Sequence, residues 1–217
     1  MLNAGIRHDF QYATAGYQSE TAIAGMWLFL ATEVLFFGGL ILAWIYSRHW
    51  NAPGFDAGAQ HSALWAGTLN TAILLSSSLT YAIGIVHIRV GHTRGLIRCC
   101  AATLALGLAF LALKFGVEWH DDFVQHLFPT DPNFAISGSA AGGAKLFYVF
   151  YFISTGLHGL HMLIGVALLL WIMRRAGRGD FSSGYNTPVL AVGLYWSFVD
   201  IVWITLYPLI YLVGRNA

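Results

Sequence analysis

Five apolar runs, each about 20 residues or longer, dominate this chain and leave little choice of fold. They cover 25–46, 63–86, 97–117, 146–173 and 189–213. About 20 apolar residues in an α-helix cross the ~30 Å hydrocarbon core of a bilayer. In lipid, backbone N–H and C=O groups must be satisfied within the segment, so each run is expected to be helical. No strand-like alternation competes with that reading. The composition agrees: 57% of the 217 residues are hydrophobic and 10% are charged, whereas a soluble domain is about one quarter charged. The expected class is all-α, a polytopic membrane protein forming one membrane domain over residues 1–217.

Several function classes drop out. The formal net charge is +1, so nothing points to a nucleic-acid partner. The two cysteines, Cys99 and Cys100, are adjacent, a spacing wrong for a zinc knuckle or a CxxC redox pair. They read as small apolar residues at the start of a span. Residues 1–21 are mixed and polar, without the basic stretch and short apolar core of a cleavable signal peptide. There is no internal repeat, P-loop or dinucleotide-binding fingerprint. A chain with so little mass outside the membrane is expected to need membrane partners.

Charge sets the expected orientation. Arg89, Arg94 and Arg98 surround the connection between the second and third runs, and Arg174, Arg175 and Arg178 follow the fourth. The connection between the third and fourth is acidic, with Glu118, Asp121, Asp122 and Asp131, although Lys114 and Lys145 flank it. Excess Lys and Arg marks the cytoplasmic side. The N-terminus is therefore expected to be cytoplasmic and the C-terminus on the opposite face. Trp44, Trp50, Trp65, Trp119 and Trp171 fall near span ends, where amphipathic rings prefer to sit. The stretch 119–145, with Pro129, Pro132, Gly138, Gly142 and Gly143, reads as an irregular outer segment.

Polar groups inside the runs are where function is sought, because an ionisable group at bilayer depth is expensive and faces protein or water. Glu33 lies in the middle of the first run. It reads either as a proton-handling or lipid-adjacent carboxyl, or as a structural hydrogen bond to a neighbouring helix. His158 and His161 sit three apart in the fourth run, close on one helix face. A metal site needs three or four ligands, and the other histidines lie at span ends or in loops, so ligation is disfavoured. Hydrogen bonding within the bundle, to Glu33, is the favoured reading. Asp200 has Trp196 and Trp203 on its face at four and three residues, and their indole N–H groups are expected to satisfy it. Asn70, Thr71 and Ser76 to Ser78 read as helix-to-helix locks. Glu118, beside Trp119 and His120, reads as a solvated acid at headgroup level. Gly38, Gly39, Gly156, Gly159 and Gly165 are expected to permit close helix approach.

Taken in order, several segments resemble subunit III of the haem–copper respiratory oxidases, most closely that of cytochrome c oxidase. The first is GMWLFLATEVLFFGG at 25–39, in which Glu33 falls on the family's membrane carboxyl. LNTAILLSSSLTYA at 69–82 is similar to the family's next span, and KFGVEW at 114–119 puts Glu118 on its acid. TGLHGLHMLIG at 155–165 is the most specific signature, and YWSFVDIVWITLYPLIYLVG at 195–214 puts Asp200 on the family's aspartate. The resemblance runs from about Gly25 to Gly214. The chain departs from the family at Ser197, where His is usual. It also lacks a Phe-Glu pair before the last span, where Asn186, Thr187 and Pro188 stand instead, and Pro208 interrupts that span.

The resemblance implies the short, five-helix bacterial form, a V-shaped bundle whose lipid-filled cleft divides the first two spans from the other three. It implies an accessory subunit in a bacterial plasma (inner) membrane complex that passes electrons from cytochrome c to O₂ and pumps protons. Haems and copper would belong to subunits I and II, with no cofactor in this chain. Its roles would be to stabilise subunit I, to support proton uptake, and to hold phospholipid that offers O₂ a route. Glu33, His158 and His161 would stand at the cleft, with Arg89 and Arg174 meeting lipid phosphates. The same scaffold serves quinol oxidases and a subunit-III-like protein of nitric oxide reductase. Membership of a respiratory supercomplex stays open.

Overall fold

A computed structural model describes residues 14–215 of the chain. Among them, five helices are long and apolar enough to cross a membrane: Gly16–Trp50, Leu64–Arg89, Thr93–Val124, Gly138–Gly177 and Thr187–Leu212. The described residues contain no strand beyond an isolated bridge between Ser182 and Tyr185. The helices are α1 (Ala15–Trp50), α2 (Ala52–His61), α3 (Leu64–Arg89), α4 (Thr93–Leu113), α5 (Trp119–Val124), α6 (Ala141–Gly177) and α7 (Thr187–Tyr207).

The spans overrun their apolar cores because polar flanks continue the helical hydrogen bonding. The N-cap Thr14 side chain accepts the Tyr17 N–H, offsetting one of the unpaired donors of a helix start. Two junctions depart from the α-helical period. Residues Lys114–Glu118 form a π-helical turn that joins α4 to α5, so the third span runs on past residue 117. Residues Pro208–Leu212 form a second π turn, closed by the Val213 N–H on the Pro208 carbonyl at 3.0 Å. Proline has no N–H to give, and the wider turn carries the last span past Pro208 without ending it.

The connection after the first span is not simply a loop. It holds α2, whose Gly54 lies against Gly143 of α6: a Cβ there would stand 2.4 Å from the Gly143 Cα. Only paired glycines allow backbones to cross that closely. Ser62, at the end of α2, donates to the carbonyls of Ala59 (2.7 Å) and Ile210 (3.4 Å). The short helix thus ties α6 to the end of the last span.

The sequence resemblance implies a cleft dividing the first two spans from the other three, but α3 packs extensively on α4 and also on α7. The open space is instead a groove of about 740 Å³ between α1 and α7, lined by Trp27, Leu30, Val34, Phe37, Gly38 and Phe198 among others. The reason is the polar and aromatic content of α3 and α7, which draws them together. In the most apolar stretch of each span, 61% of the last is buried within the chain against 17% of the first. The last span is the inner one and the first is the outer one. Trp196 fills the centre, where a Cβ on Gly107 or Gly165 would come within 2.9 Å of its ring. Gly159 likewise admits Phe115. Gly38 and Gly39 have no such neighbour within 4 Å, so they do not serve close approach here.

Candidate functional site

Two buried polar constellations stand out, one in the middle of the bundle and one at the end bearing the 125–137 loop. In the middle, α1 and α6 present Glu33 and His161 to each other, with His161 Nε2 and Glu33 Oε2 3.1 Å apart. The Glu33 side chain is 19% exposed and that of His161 12%. His161 Nδ1 lies 2.8 Å from the Leu157 carbonyl. A carbonyl only accepts, so Nδ1 carries a proton and donates it. That leaves one proton for the contact between Nε2 and the carboxyl, held either by Glu33 as an acid or by His161 as an imidazolium. Tyr195 donates to the His161 carbonyl at 2.9 Å, and the Phe37 ring meets the imidazole edge-on at 5.2 Å.

His158 does not join this pair. Its ring is 1% exposed and sits against Phe110 and Trp203, with centroids at 5.4 and 5.2 Å. Neither ring nitrogen has a hydrogen-bond partner among the described residues. Three residues advance a helix by less than a full turn, enough to turn His158 toward α4 and α7 while His161 faces α1. Nor do Glu33 and the histidines line the groove between α1 and α7, although Phe37, which does, touches the His161 ring.

Asp200 is held differently from the sequence expectation and through one oxygen, its Oδ1 being buried without a hydrogen-bond partner among the described residues. Ser78 on α3 donates to its Oδ2, while the indoles beside it reach past it to α3. Trp196 Nε1 donates to Ser77 Oγ and Trp203 Nε1 to Thr71 Oγ1, each at 3.0 Å. An indole N–H projects away from its own helix and finds a neighbour's hydroxyl more readily than a carboxyl one turn along. These three bonds lock α3 to α7. Ser76 instead bonds the Ala72 carbonyl of its own helix at 2.8 Å. Asn70 is fully buried and neither amide atom has a partner among the described residues, so it is no hydrogen-bonded lock.

Glu118 is not at the solvated headgroup level. It is 3% exposed, in direct ion pair with Lys114, which is 1% exposed. The Tyr211 hydroxyl donates to Glu118 Oε2 at 2.7 Å, and Lys114 Nζ donates to the hydroxyls of Tyr211 (2.7 Å) and Tyr151 (3.0 Å). Tyr151 donates onward to Asp122 Oδ2 at 2.7 Å. The sequence reading left Lys114 and Asp122 in and beside the acidic connection, not in a buried cluster, and missed Tyr151 and Tyr211. The signal it could have used is a lysine inside an apolar run with an acid four residues on, a spacing that pairs them on one helix face.

Arg89 and Arg174 are exposed at the other end of the bundle, the end that holds the start of α1. Among the described residues no three His, Cys, Asp or Glu side chains converge as a metal-ligand set.

Five membrane-length helices locked by buried hydroxyl, indole and paired ionic contacts define a polytopic helical membrane protein with its polar groups turned inward. Within that class, the family model for cytochrome c oxidase subunit III matches residues 11–215, and the chain belongs to that family. It is 31% identical over 206 residues to cytochrome c oxidase subunit 3 of Thermostichus vulcanus, covering 89% of this chain and 88% of that one. It is likewise 31% identical over 192 residues to cytochrome c oxidase subunit 3 of Corynebacterium diphtheriae, covering 87% of this chain and 86% of that protein. Cytochrome bo(3) ubiquinol oxidase subunit 3 of Pseudomonas aeruginosa is 28% identical over 210 residues, covering 97% of this chain and 91% of that one.

Proposed function

We propose that this chain is the accessory third subunit of a cytochrome c oxidase, a complex that moves electrons from cytochrome c to O₂ and pumps protons. In this reading the haems and copper belong to subunits I and II. The chain stabilises subunit I, supports proton uptake and holds phospholipid. The observation that carries the reading is the match of the family over residues 11–215. The contact between Glu33 and His161 supports a part in proton handling, because paired ionisable groups inside the bilayer mark proton relays. The exposed arginines at one end support a cytoplasmic N-terminus in a bacterial plasma membrane, with Arg89 and Arg174 against lipid phosphates. The groove between α1 and α7 is where an acyl chain would lie.

A quinol oxidase is the second reading, favoured by the similarity to the ubiquinol oxidase subunit across 97% of this chain. Mass spectrometry of what co-purifies from membranes in mild detergent separates the two. A large haem–copper subunit together with a copper-bearing electron-accepting subunit supports the first reading. The same large haem–copper subunit with an accompanying subunit that carries no copper supports the second. Recovery with nitric oxide reductase, or alone, overturns both.

A further inference from the structure

The cluster at the ends of the third, fourth and fifth spans accounts for every proton but one. A charged lysine has three donors and no acceptor. All three donors of Lys114 are engaged, by Glu118, Tyr151 and Tyr211. Each phenol has one proton to give. Tyr211 gives it to Glu118 and Tyr151 gives it to Asp122. Both phenol oxygens then accept from Lys114, and an ammonium paired with the Glu118 carboxylate supplies all three bonds; a proton moved from Lys114 to Glu118 would leave the total charge the same. One cation therefore faces two carboxyl groups. Glu118 takes the ion pair and a phenol. Asp122, 7% exposed, is held among the described residues by the Tyr151 hydroxyl.

No other nearby group restores the balance. From α6, Tyr148 and His158 face the cluster, and Asp121 stands beside Asp122 with a further negative charge. The His158 ring nitrogens have no acceptor among the described residues to hold a second positive charge. His120 points outward, 70% exposed, toward the 56%-exposed Asp121. From the last span come Tyr211, with Tyr207 beside it, and the uncharged Trp203 ring 5.6 Å from Lys114 Nζ, none of them a cation, and α3 meets this end through Gly67, against the Tyr211 ring. A net charge in a dry interior is costly, and carboxyls grouped about one cation titrate as a unit.

We propose that this cluster is a binding site for one exchangeable proton, carried on Asp122 and in equilibrium with the aqueous side faced by His120 and Asp121. On loading, an O–H bond forms at Asp122 as a hydronium ion gives up its proton, and the cluster passes from one net negative charge to none. The chain from Tyr151 through Lys114 and Tyr211 to Glu118 keeps its bonds throughout. The site is separate from Glu33 and His161 and does not depend on the electron donor of the complex.

Infrared difference spectroscopy of the full chain, purified in mild detergent with whatever subunits accompany it, tests the proposal. As the pH falls from neutral into the mildly acidic range, the wild-type protein gains a protonated-carboxyl C=O band that shifts in D₂O. Asp122→Asn removes one carboxyl's worth of that band, and Asp121→Asn leaves it. Asp122→Glu retains a band at an altered frequency, which separates loss of the proton from loss of the fold. If Glu118→Gln removes the band and Asp122→Asn does not, the proton rides on the wrong residue and the proposal fails. If neither variant changes the carboxyl region, the cluster holds no such proton and the proposal fails outright.

Discussion

Glu33 meets His161 across two helices with a single proton between them, and the consequence is local. Glu33→Gln keeps an amide N–H for His161 Nε2 while removing the carboxyl. Interhelical hydrogen bonds in membranes average about 0.6 kcal/mol and reach about 1.7 kcal/mol. The glutamine variant should therefore cost less than about 1 kcal/mol in thermal unfolding, yet alter proton uptake and the turnover lifetime of the complex. Unchanged uptake and lifetime would leave the carboxyl with a structural part only. Lys114 belongs to a different regime. Lys114→Met leaves Glu118 buried without its cation, a loss of about 3–5 kcal/mol by the general behaviour of broken buried pairs. The double variant with Glu118→Gln should recover most of that loss in the same melting measurement. Equal melting temperatures for single and double variants would show that the pair is not energetically coupled. Outside the spans, Asp131 accepts from the His126 ring at 2.8 Å and from the Asn133 N–H at 2.8 Å. The hydrogen bond from His126, with the backbone bond from Asn133, holds its carboxyl below the usual range. A depressed carboxyl stabilises the loop above its ordinary pKa, about 3.9, and that contribution fades as pH falls through the lowered value. Hydrogen exchange in residues 125–136 should be slower in the wild type than in Asp131→Asn at neutral pH, with the difference vanishing in strong acid.

At the scale of elements, two features depend on partners distant in sequence. The helix α2 exists as a docked element because Gly54 and Gly143 let it cross α6 backbone to backbone. Gly54→Ala puts a methyl group into that crossing and should cost about 1–3 kcal/mol, as overpacking does. Gly39→Ala, with nothing within 4 Å of the added carbon, should leave the melting temperature unchanged or raise it slightly, since alanine favours helix. If both variants melt alike, the crossing is looser than described. The π turns are a related case. A 3.6-residue period read from the apolar pattern carries no hint of a wider turn at Lys114–Glu118, because that turn forms where Lys114 and Glu118 are drawn into one cluster with Tyr151 and Tyr211. Pro208 was legible as a disturbance in the last span, and it proves to be a turn that the helix passes through.

For the whole molecule, the order of burial matters most. The last span is enclosed by α1, α3 and α6, while α1 presents Leu28, Leu35 and Leu42 outward at 70%, 77% and 68% exposure. A lipid-soluble carbene reagent should label those leucines heavily in the chain freed of partners, and should spare Val199 and Trp203, each 1% exposed. Protection of one row of α1 leucines in the intact complex would then mark the partner's face. Equal labelling of α1 and the last span would contradict the nesting.

By itself the sequence determined the class of the molecule: five helices, their approximate ends and their order. That follows because the cost of exposing peptide groups to hydrocarbon is local, and each 20-residue run answers it alone. It also pointed to the groups that would matter, including Glu33, His161 and Asp200, since ionisable residues at bilayer depth are rare enough to stand out. Which of those groups meet was decided only by the tertiary structure. Helices are nearly equally apolar all round in lipid, so no amphipathic stripe says which face turns inward. The choice falls to small residues and a few polar contacts far apart in the chain. That is why His158 parts from His161, why the indoles bypass Asp200 for hydroxyls on α3, and why Lys114 and Glu118 leave the membrane surface for a shared interior site.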